Sequence, residues 1–271
     1  MKKFKGLVLF LSLVLLISLA APALAAPPDD NPGKGPPEYD VTVFVHYGDD
    51  ARGVKPDNPG GGKGGGGGGK NKEPKLYSYS GVHWEAPANV TYGINPSGAP
   101  GGLSSINNAI IASFETWDVE GSIDFSYDSN LNGTMPGLNV PSPDRVNVIG
   151  WADLTDTYPN AIGVTIIWSL RGRYKYIVDV DTILNTAPMF AWTIDNDSDP
   201  DSGTTNNTAA YDVDVQNIMT HEAGHWLVLN DLYDGIYSEQ TMFGVSSDTE
   251  LKRRTLEDGD IAGILSIYPS P

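Results

Sequence analysis

Residues 221–225 read His-Glu-Ala-Gly-His. On a helix, residues four apart share one face, so His221 and His225 can hold a single metal ion between them. Two imidazoles at that spacing suit zinc, which lowers the pKa of a bound water toward ~7. Glu222, one residue on from His221, would then take a proton from that water as general base and return it to a leaving amine. The flanks fit a buried helix better than a surface helix with incidental histidines. Ile218, Met219 and Leu229 are apolar, and Ala223 and Gly224 are small enough for close packing. Two histidines leave a catalytic zinc one protein ligand short of the usual three. Asp231 and Asp234 both follow closely enough to supply it.

The elements that must position this motif can be sketched from periodicity. A helix over about 214–229 carries it. Upstream, Val90, Tyr92 and Ile94 mark a strand. Leu103, Ile106, Ile110, Phe114 and Trp117 then fall at helical spacing, with Ser104 or Ser105 available as N-cap. Ile123, Phe125 and Tyr127 alternate as a strand, and β-rich runs follow at 146–151, 162–168 and 176–184. Thr255-x-x-Asp258 reads as a capping box for a last helix with Ile261, Ile264, Leu265 and Tyr268 on its apolar face. The order strand, helix, several strands, then helices predicts an α+β domain, with a mixed sheet packed on a helix.

The N-terminus differs. Lys2, Lys3 and Lys5 precede an apolar run at 6–20 and then Ala23-Leu24-Ala25, the pattern of a secretory signal peptide over 1–25. Residues 26–75 are rich in Pro, Gly, Lys and Asp, with a glycine run at 60–69 interrupted only by Lys63, and read as a linker or propeptide-like segment. Within it, Tyr39, Val41, Val43, Val45 and Tyr47 alternate as one isolated strand, which must pair elsewhere or stay loose. Residues 76–271 are expected to form the domain that carries the motif, the catalytic domain if the metal chemistry holds. His46 and His83, the histidines outside the motif, are expected to pack or face solvent. The net charge of -17 disfavours nucleic acid and anionic membrane. With no cysteine, a chain outside the cell must be held by its core, by metal, or by both. Asp195, Asp197, Asp199 and Asp201 alternate along one polar loop that suits either structural calcium or plain solvation.

HEAGHWLVLND, with QTMFG downstream, resembles the extended zinc motif and Met-turn of the metzincin peptidases. That resemblance implies Asp231 as third ligand, six residues after His225, and Met242 as an apolar floor beneath the metal. RTLEDGDIAGILSIYP, NNAIIASFETWDVEGSIDFSY and ANVTYGI resemble matrixin segments in particular. The implied fold is metzincin-like: a twisted mixed sheet with a long first helix, an active-site helix, and a small C-terminal subdomain ending in a helix. The implied function is a secreted zinc-dependent endopeptidase acting on extended protein or peptide substrates, with a monomer expected. Three departures stand out. Val228 replaces the glycine that ends the family's site helix, so Asn230 is expected to make the turn. There is no cysteine for a cysteine switch. The histidines are too few for a matrixin-type structural zinc site. The alternative function is a non-catalytic, zinc-stabilised extracellular or surface-layer binding protein, against which Glu222 argues.

Overall fold

The computed structural model describes residues 39–49, 76–101, 105–119, 121–138, 140–194 and 211–270. The signal-peptide segment, most of the 26–75 segment and the Asp195 to Asp201 acids lie outside these described residues. The elements run β1 (Tyr39–Gly48), β2 (Ala88–Ile94), α1 (Ile106–Thr116), β3 (Ile123–Tyr127), β4 (Val148–Ala152), β5 (Ala161–Leu170), β6 (Ile177–Asn185), β7 (Phe190–Thr193), β8 (Tyr211–Asp214), α2 (Val215–Trp226), β9 (Val245–Ser246) and α3 (Asp258–Ile267). The class is α+β, as the order of periodicities implied. Among the described residues, no helix is long and apolar enough to cross a membrane.

Seven strands form one mixed sheet in the order β3-β2-β4-β6-β5-β1-β9, and β7 pairs with β8 separately. β3, β2, β4 and β6 run parallel to one another, while β5 is antiparallel to both β6 and β1. β5 and β6 are buried along almost their whole length, because both faces of the sheet are covered. On one face, Ile167, Val180 and Leu184 meet α1 and α2 in the main core with Phe114, Trp117 and Trp226. On the other, Val164, Ile166, Trp168 and Ile183 are covered by Leu154 and partly buried Leu138 and Tyr158. The two helices are also tied by polar contacts: Trp117 Nε1–H donates to the Thr220 carbonyl at 2.8 Å.

Two findings differ from the sequence reading. Ser105 holds the N-cap position of α1, but with φ of 70° and no side-chain capping bond. The last helix is capped two residues later than expected: Asp260 Oδ2 accepts the Glu257 N–H at 3.0 Å, so the box is Glu257 with Asp260 and not Thr255 with Asp258. Of the apolar face foreseen for α3, Ile264 and Tyr268 are buried, whereas Leu265 faces solvent.

The strand expected to be isolated within 26–75 lies inside the sheet. β1 pairs antiparallel with β5 from Tyr39↔Leu170 to Tyr47↔Ala161, and parallel with β9 at Tyr47↔Val245 and Gly48↔Ser246. Its alternation sorts its side chains. Val43, Val45 and Tyr47 pack on the second face, and Phe44 and His46 turn toward α2.

β6 also carries a buried acid pair. Asp181 accepts the Gly137 and Val148 N–H groups at 2.5 and 3.0 Å, and Asp179 accepts those of Asp144 and Arg145 at 2.9 and 3.1 Å, fastening the 136–148 segment to the sheet. Burial first, and then the neighbouring Asp179 charge, push the Asp181 carboxyl up to about 8; burial pushes Asp179 up to about 6. Between the ordinary value of 3.8 and about 8, the folded chain therefore holds a proton at Asp181 that the unfolded chain has shed. Stability contributed by this group is full at acid pH and lost as pH rises through that window. We predict that the fall in thermal midpoint between pH 5 and pH 8 is shallower in Asp181→Asn than in the wild type. Superimposable pH profiles would contradict a buried protonated Asp181.

Candidate metal centre

α2 is set from both ends. At its start, the Asp214 side chain caps the Asn217 N–H at 2.7 Å and is itself held by Arg254 Nε at 2.9 Å. At its end, the chain reverses through Val228, whose φ is 63°, and the Leu229 N–H returns to the Gly224 carbonyl at 3.1 Å. Val228 itself makes the left-handed turn that Asn230 was expected to make. That conformation costs an L-residue about 1–2 kcal/mol, and a β-branched one is a clear outlier there. The surroundings over-determine it. Val228 is fully buried, its carbonyl accepts the Ser80 N–H at 3.2 Å, and the Asn230 N–H reaches the Ser78 carbonyl at 2.8 Å. Trp84 Nε1–H caps the Trp226 carbonyl at 2.9 Å.

The reversal carries Asp231 back beneath the helix. Asp231 Oδ1 lies 3.1 Å from His221 Nε2 and 3.5 Å from His225 Nε2. Asp234, the other carboxylate considered, points away; it is exposed and caps a short turn through the Ile236 N–H. Each histidine has its second nitrogen engaged. His221 Nδ1 donates to the Thr241 carbonyl at 2.7 Å, and His225 Nδ1 donates to the Leu229 carbonyl at 2.8 Å. A carbonyl can only accept, so both protons sit on Nδ1 and both Nε2 lone pairs face inward. Arg253 Nη1 is 3.3 Å from His221 Nδ1, but that nitrogen is already committed as a donor. The remaining Asp231 oxygen accepts the Tyr233 hydroxyl at 3.2 Å.

The fit to a metal rests on what these atoms lack. His221 Nε2, His225 Nε2 and Asp231 Oδ1 are buried with no hydrogen-bond partner among the protein atoms. They are also close enough together for one ion. Buried acceptors left unpaired cost roughly 1–3 kcal/mol each. Two imidazole nitrogens and a carboxylate oxygen, with outer-layer bonds holding each ligand, form a donor set that zinc takes readily. The site is electrostatically divided in the metal-free chain. Burial first, and then His46, push His221 down to about 3. For His225 burial is again the largest influence and acts downward, but the Asp231 carboxylate, Glu222 and the Leu229 carbonyl together outweigh it and the net shift is upward. A positive charge is thus wanted between these groups, and a cation satisfies all three at once.

Glu222 is oriented separately. Trp226 Nε1–H donates to Thr182 Oγ1 at 2.9 Å, Thr182 is 2.7 Å from Thr165 Oγ1, and Thr165 donates to Glu222 Oε2 at 2.6 Å. Since the indole can only donate and the carboxylate can only accept, Thr182 must donate to Thr165. Glu222 Oε1 is left with no hydrogen-bond partner. A Cβ at position 163 would come within 3.0 Å of that oxygen, so Gly163 leaves it room. Burial, the largest influence, pushes the Glu222 carboxyl up.

Met242 packs under the motif helix with its sulfur against Gly224. Its loop is pinned by α3: Asp260 accepts the Thr241 and Met242 N–H groups at 2.8 and 3.2 Å. Asp260, Thr165, Thr182 and Thr241 carried no signal in the sequence, because their roles depend on partners far along the chain. His46 was read as a bland residue and is not one. It is 1 % exposed, its ring meets that of His221 edge-on at 4.0 Å, and its Nδ1 is 3.5 Å from Glu222 Oε1. Phe44 stacks on the His225 ring at 4.0 Å. His83, by contrast, has an ordinary packing role against Tyr176.

No family model matches this chain. No curated protein matches it either. Among solved structures, that of Myroilysin is similar with a TM-score of 0.37 and 12% identity, over 74% of this chain and 88% of that one.

The packing of Gly224 gives a test with an inverted sign. Replacing a helix-interior glycine by alanine ordinarily stabilises by about 1 kcal/mol. Here the added Cβ would collide with Met242 Sδ and approach Trp117 to 2.8 Å. Gly224→Ala is expected to destabilise the chain by about 1–3 kcal/mol in denaturant unfolding, the usual cost of overpacking. A stability gain would show that Met242 does not seat against the motif helix.

Proposed function

We propose that this chain is a zinc-dependent endopeptidase of metzincin type, directed outside the cell, with His221, His225 and Asp231 holding the metal and Glu222 as general base. The observation that carries this reading is the convergence of three buried, partnerless acceptor atoms beside a carboxylate whose one free oxygen faces the same space. Zinc bound there would supply Lewis acidity to a water molecule and to a substrate carbonyl.

The chain's own residues would do the rest. Thr165 holds Oε2 of Glu222 and so leaves Oε1 as the atom that accepts the proton. Burial raises that carboxylate's affinity for a proton, which suits it to take one and pass it to the departing amine. The Thr241 and Leu229 carbonyls fix both imidazoles in the metal-binding tautomer. β5 provides the ladder along which an extended polypeptide could lie, a mode that favours unfolded segments over particular sequences. A site used only to stabilise the fold would need neither Glu222 nor the hydroxyl chain that aims it.

Three substitutions separate the roles. Glu222→Gln keeps shape and metal but removes the base. It should retain about one zinc per chain and lose hydrolysis of an unfolded protein by 10²-fold or more, on the order expected for a general base. Asp231→Ala should lose zinc, and Asp234→Ala should keep it. Because β1 lies across the site, hydrolysis is measured both on the intact chain and on chain cut within the glycine run at 60–69. Zinc-loaded wild type and Glu222→Gln that hydrolyse equally, or not at all in either form, would contradict the peptidase reading. Zinc lost only from Asp234→Ala would overturn the ligand assignment.

A further inference from the structure

α1 and β3 do not close on each other completely. Between them lies a cavity of about 260 Å³, with Tyr92 of β2 in its lining. None of His221, Glu222, His225 and Asp231 lines it. Its volume falls below the ~300–1,000 Å³ of sites for drug-sized ligands, so it suits one small group. We infer that this cavity binds an alkylammonium ion, supplied either by a free amine or by the side chain of a lysine on a partner polypeptide.

The walls are aromatic faces. β2 and β3 pair in parallel with Tyr92 opposite Tyr127, and the alternation of β3 puts Phe125 on the same side as Tyr127. Phe114 of α1 stacks on Tyr92 with ring centroids 4.2 Å apart, and Phe125 tilts against Phe114 at 5.0 Å. Faces of this kind carry partial negative charge, so they attract a cation while giving its apolar stem a surface to pack on.

The charges around the cavity have one sign. Glu115 and Asp118, neighbours around the C-terminal end of α1, line it together with Asp124, and all three are exposed. No Lys or Arg lines it, and among the described residues none of the three acids forms an ion pair. The last turn of α1 holds no basic residue either, although the dipole at that end of a helix favours a cation. In a chain of net charge -17, unpaired surface acids alone would carry little.

Tyr92 is what singles this cavity out. It is only 2% exposed, yet among the described residues its hydroxyl has no hydrogen-bond partner. A buried hydroxyl left unpaired is costly. Burial, and then the Glu115 carboxylate, push the Tyr92 phenol up, so the hydroxyl keeps its proton and feels the Glu115 charge. A primary ammonium brings three donors. One can serve the Tyr92 oxygen and another Glu115, with the stem against Phe114 and Phe125. A metal ion fits poorly, because among the described residues no three carboxylates or imidazoles converge here. A neutral apolar ligand would leave the acids and the hydroxyl unmatched.

The test is an NMR titration of the full-length chain. It follows the methyl signals of Ile111 and Ile123, which line the cavity, with Ile166 of the second core as control. n-Butylammonium should shift the first two saturably and leave Ile166 in place. Half-saturation is expected at about a millimolar, a range open to a ligand of so few atoms. n-Butanol, the uncharged analogue, should bind at least about tenfold more weakly. Tyr92→Phe keeps the ring, and Glu115→Gln sits at an exposed position. Each should weaken n-butylammonium several-fold while the Ile166 signal shows the fold intact. Nα-acetyl-lysine N-methylamide bound at least as tightly as n-butylammonium would assign the site to a lysine of a polypeptide, and weaker binding would assign it to a free amine. Equal binding of butanol and butylammonium would reduce the cavity to an apolar gap and overturn the proposal. So would the lack of a saturable shift, or unchanged affinity in either variant.

Discussion

Everything in this structure turns on three buried acceptor atoms that face one another with no proton donor between them. His221 Nε2, His225 Nε2 and Asp231 Oδ1 lie within 3.5 Å along the two contacts to the carboxylate. Without a cation they stay buried with no hydrogen-bond partner, and only a proton drawn to His225 by the Asp231 carboxylate eases the cost. A divalent cation would satisfy all three at once. The binding free energy of the metal then becomes part of the folding free energy, which matters for a chain with no cysteine to cross-link it.

The convergence is imposed from outside the motif. A helix alone fixes the two histidines relative to each other and says nothing about Asp231. What brings Asp231 in is the reversal at Val228, a strained turn held by the segment around Ser78 and Ser80. What aims His221 is the Thr241 carbonyl, and Thr241 is set by Asp260 at the start of α3. The last helix therefore reaches His221 through two hydrogen-bonded steps. Glu222 is aimed by an independent route, through hydroxyls on β5 and β6. Sheet and C-terminal segment thus hold different side chains: the sheet orients Glu222, and the loop before α3 orients His221.

The legible part of this arrangement was local. His221, Glu222 and His225 declare themselves by spacing, and the sheet strands and α2 by periodicity, because both signals reside within a dozen residues. Asp231 over Asp234 was readable only through resemblance to a family motif, since nothing local distinguishes two aspartates after a helix. Asp234 turned out to cap a turn, which its position before Gly235 could have suggested. What could not be read was pairing at long range. His46 and Phe44 show as alternate residues of a strand, yet which face of which sheet they meet depends on β5, more than a hundred residues away. The capping box went wrong for a related reason. Thr255 has the preferred residue type, but its backbone carbonyl is taken by Thr241 and the helix starts only after Glu257. Val228 was passed over as the turn residue because a β-branched side chain disfavours positive φ, and only its surroundings hold it there.

The most direct test of the central claim is X-ray absorption at the zinc edge on the purified chain loaded with one equivalent of zinc. The account predicts a first shell of nitrogen and oxygen only, at about 2.0–2.2 Å, with the scattering signature of two imidazoles. Substituting Asp231 by alanine should remove an oxygen from that shell or release the metal. A shell built of oxygens without paired imidazoles, or a chain that takes up no zinc, would contradict it.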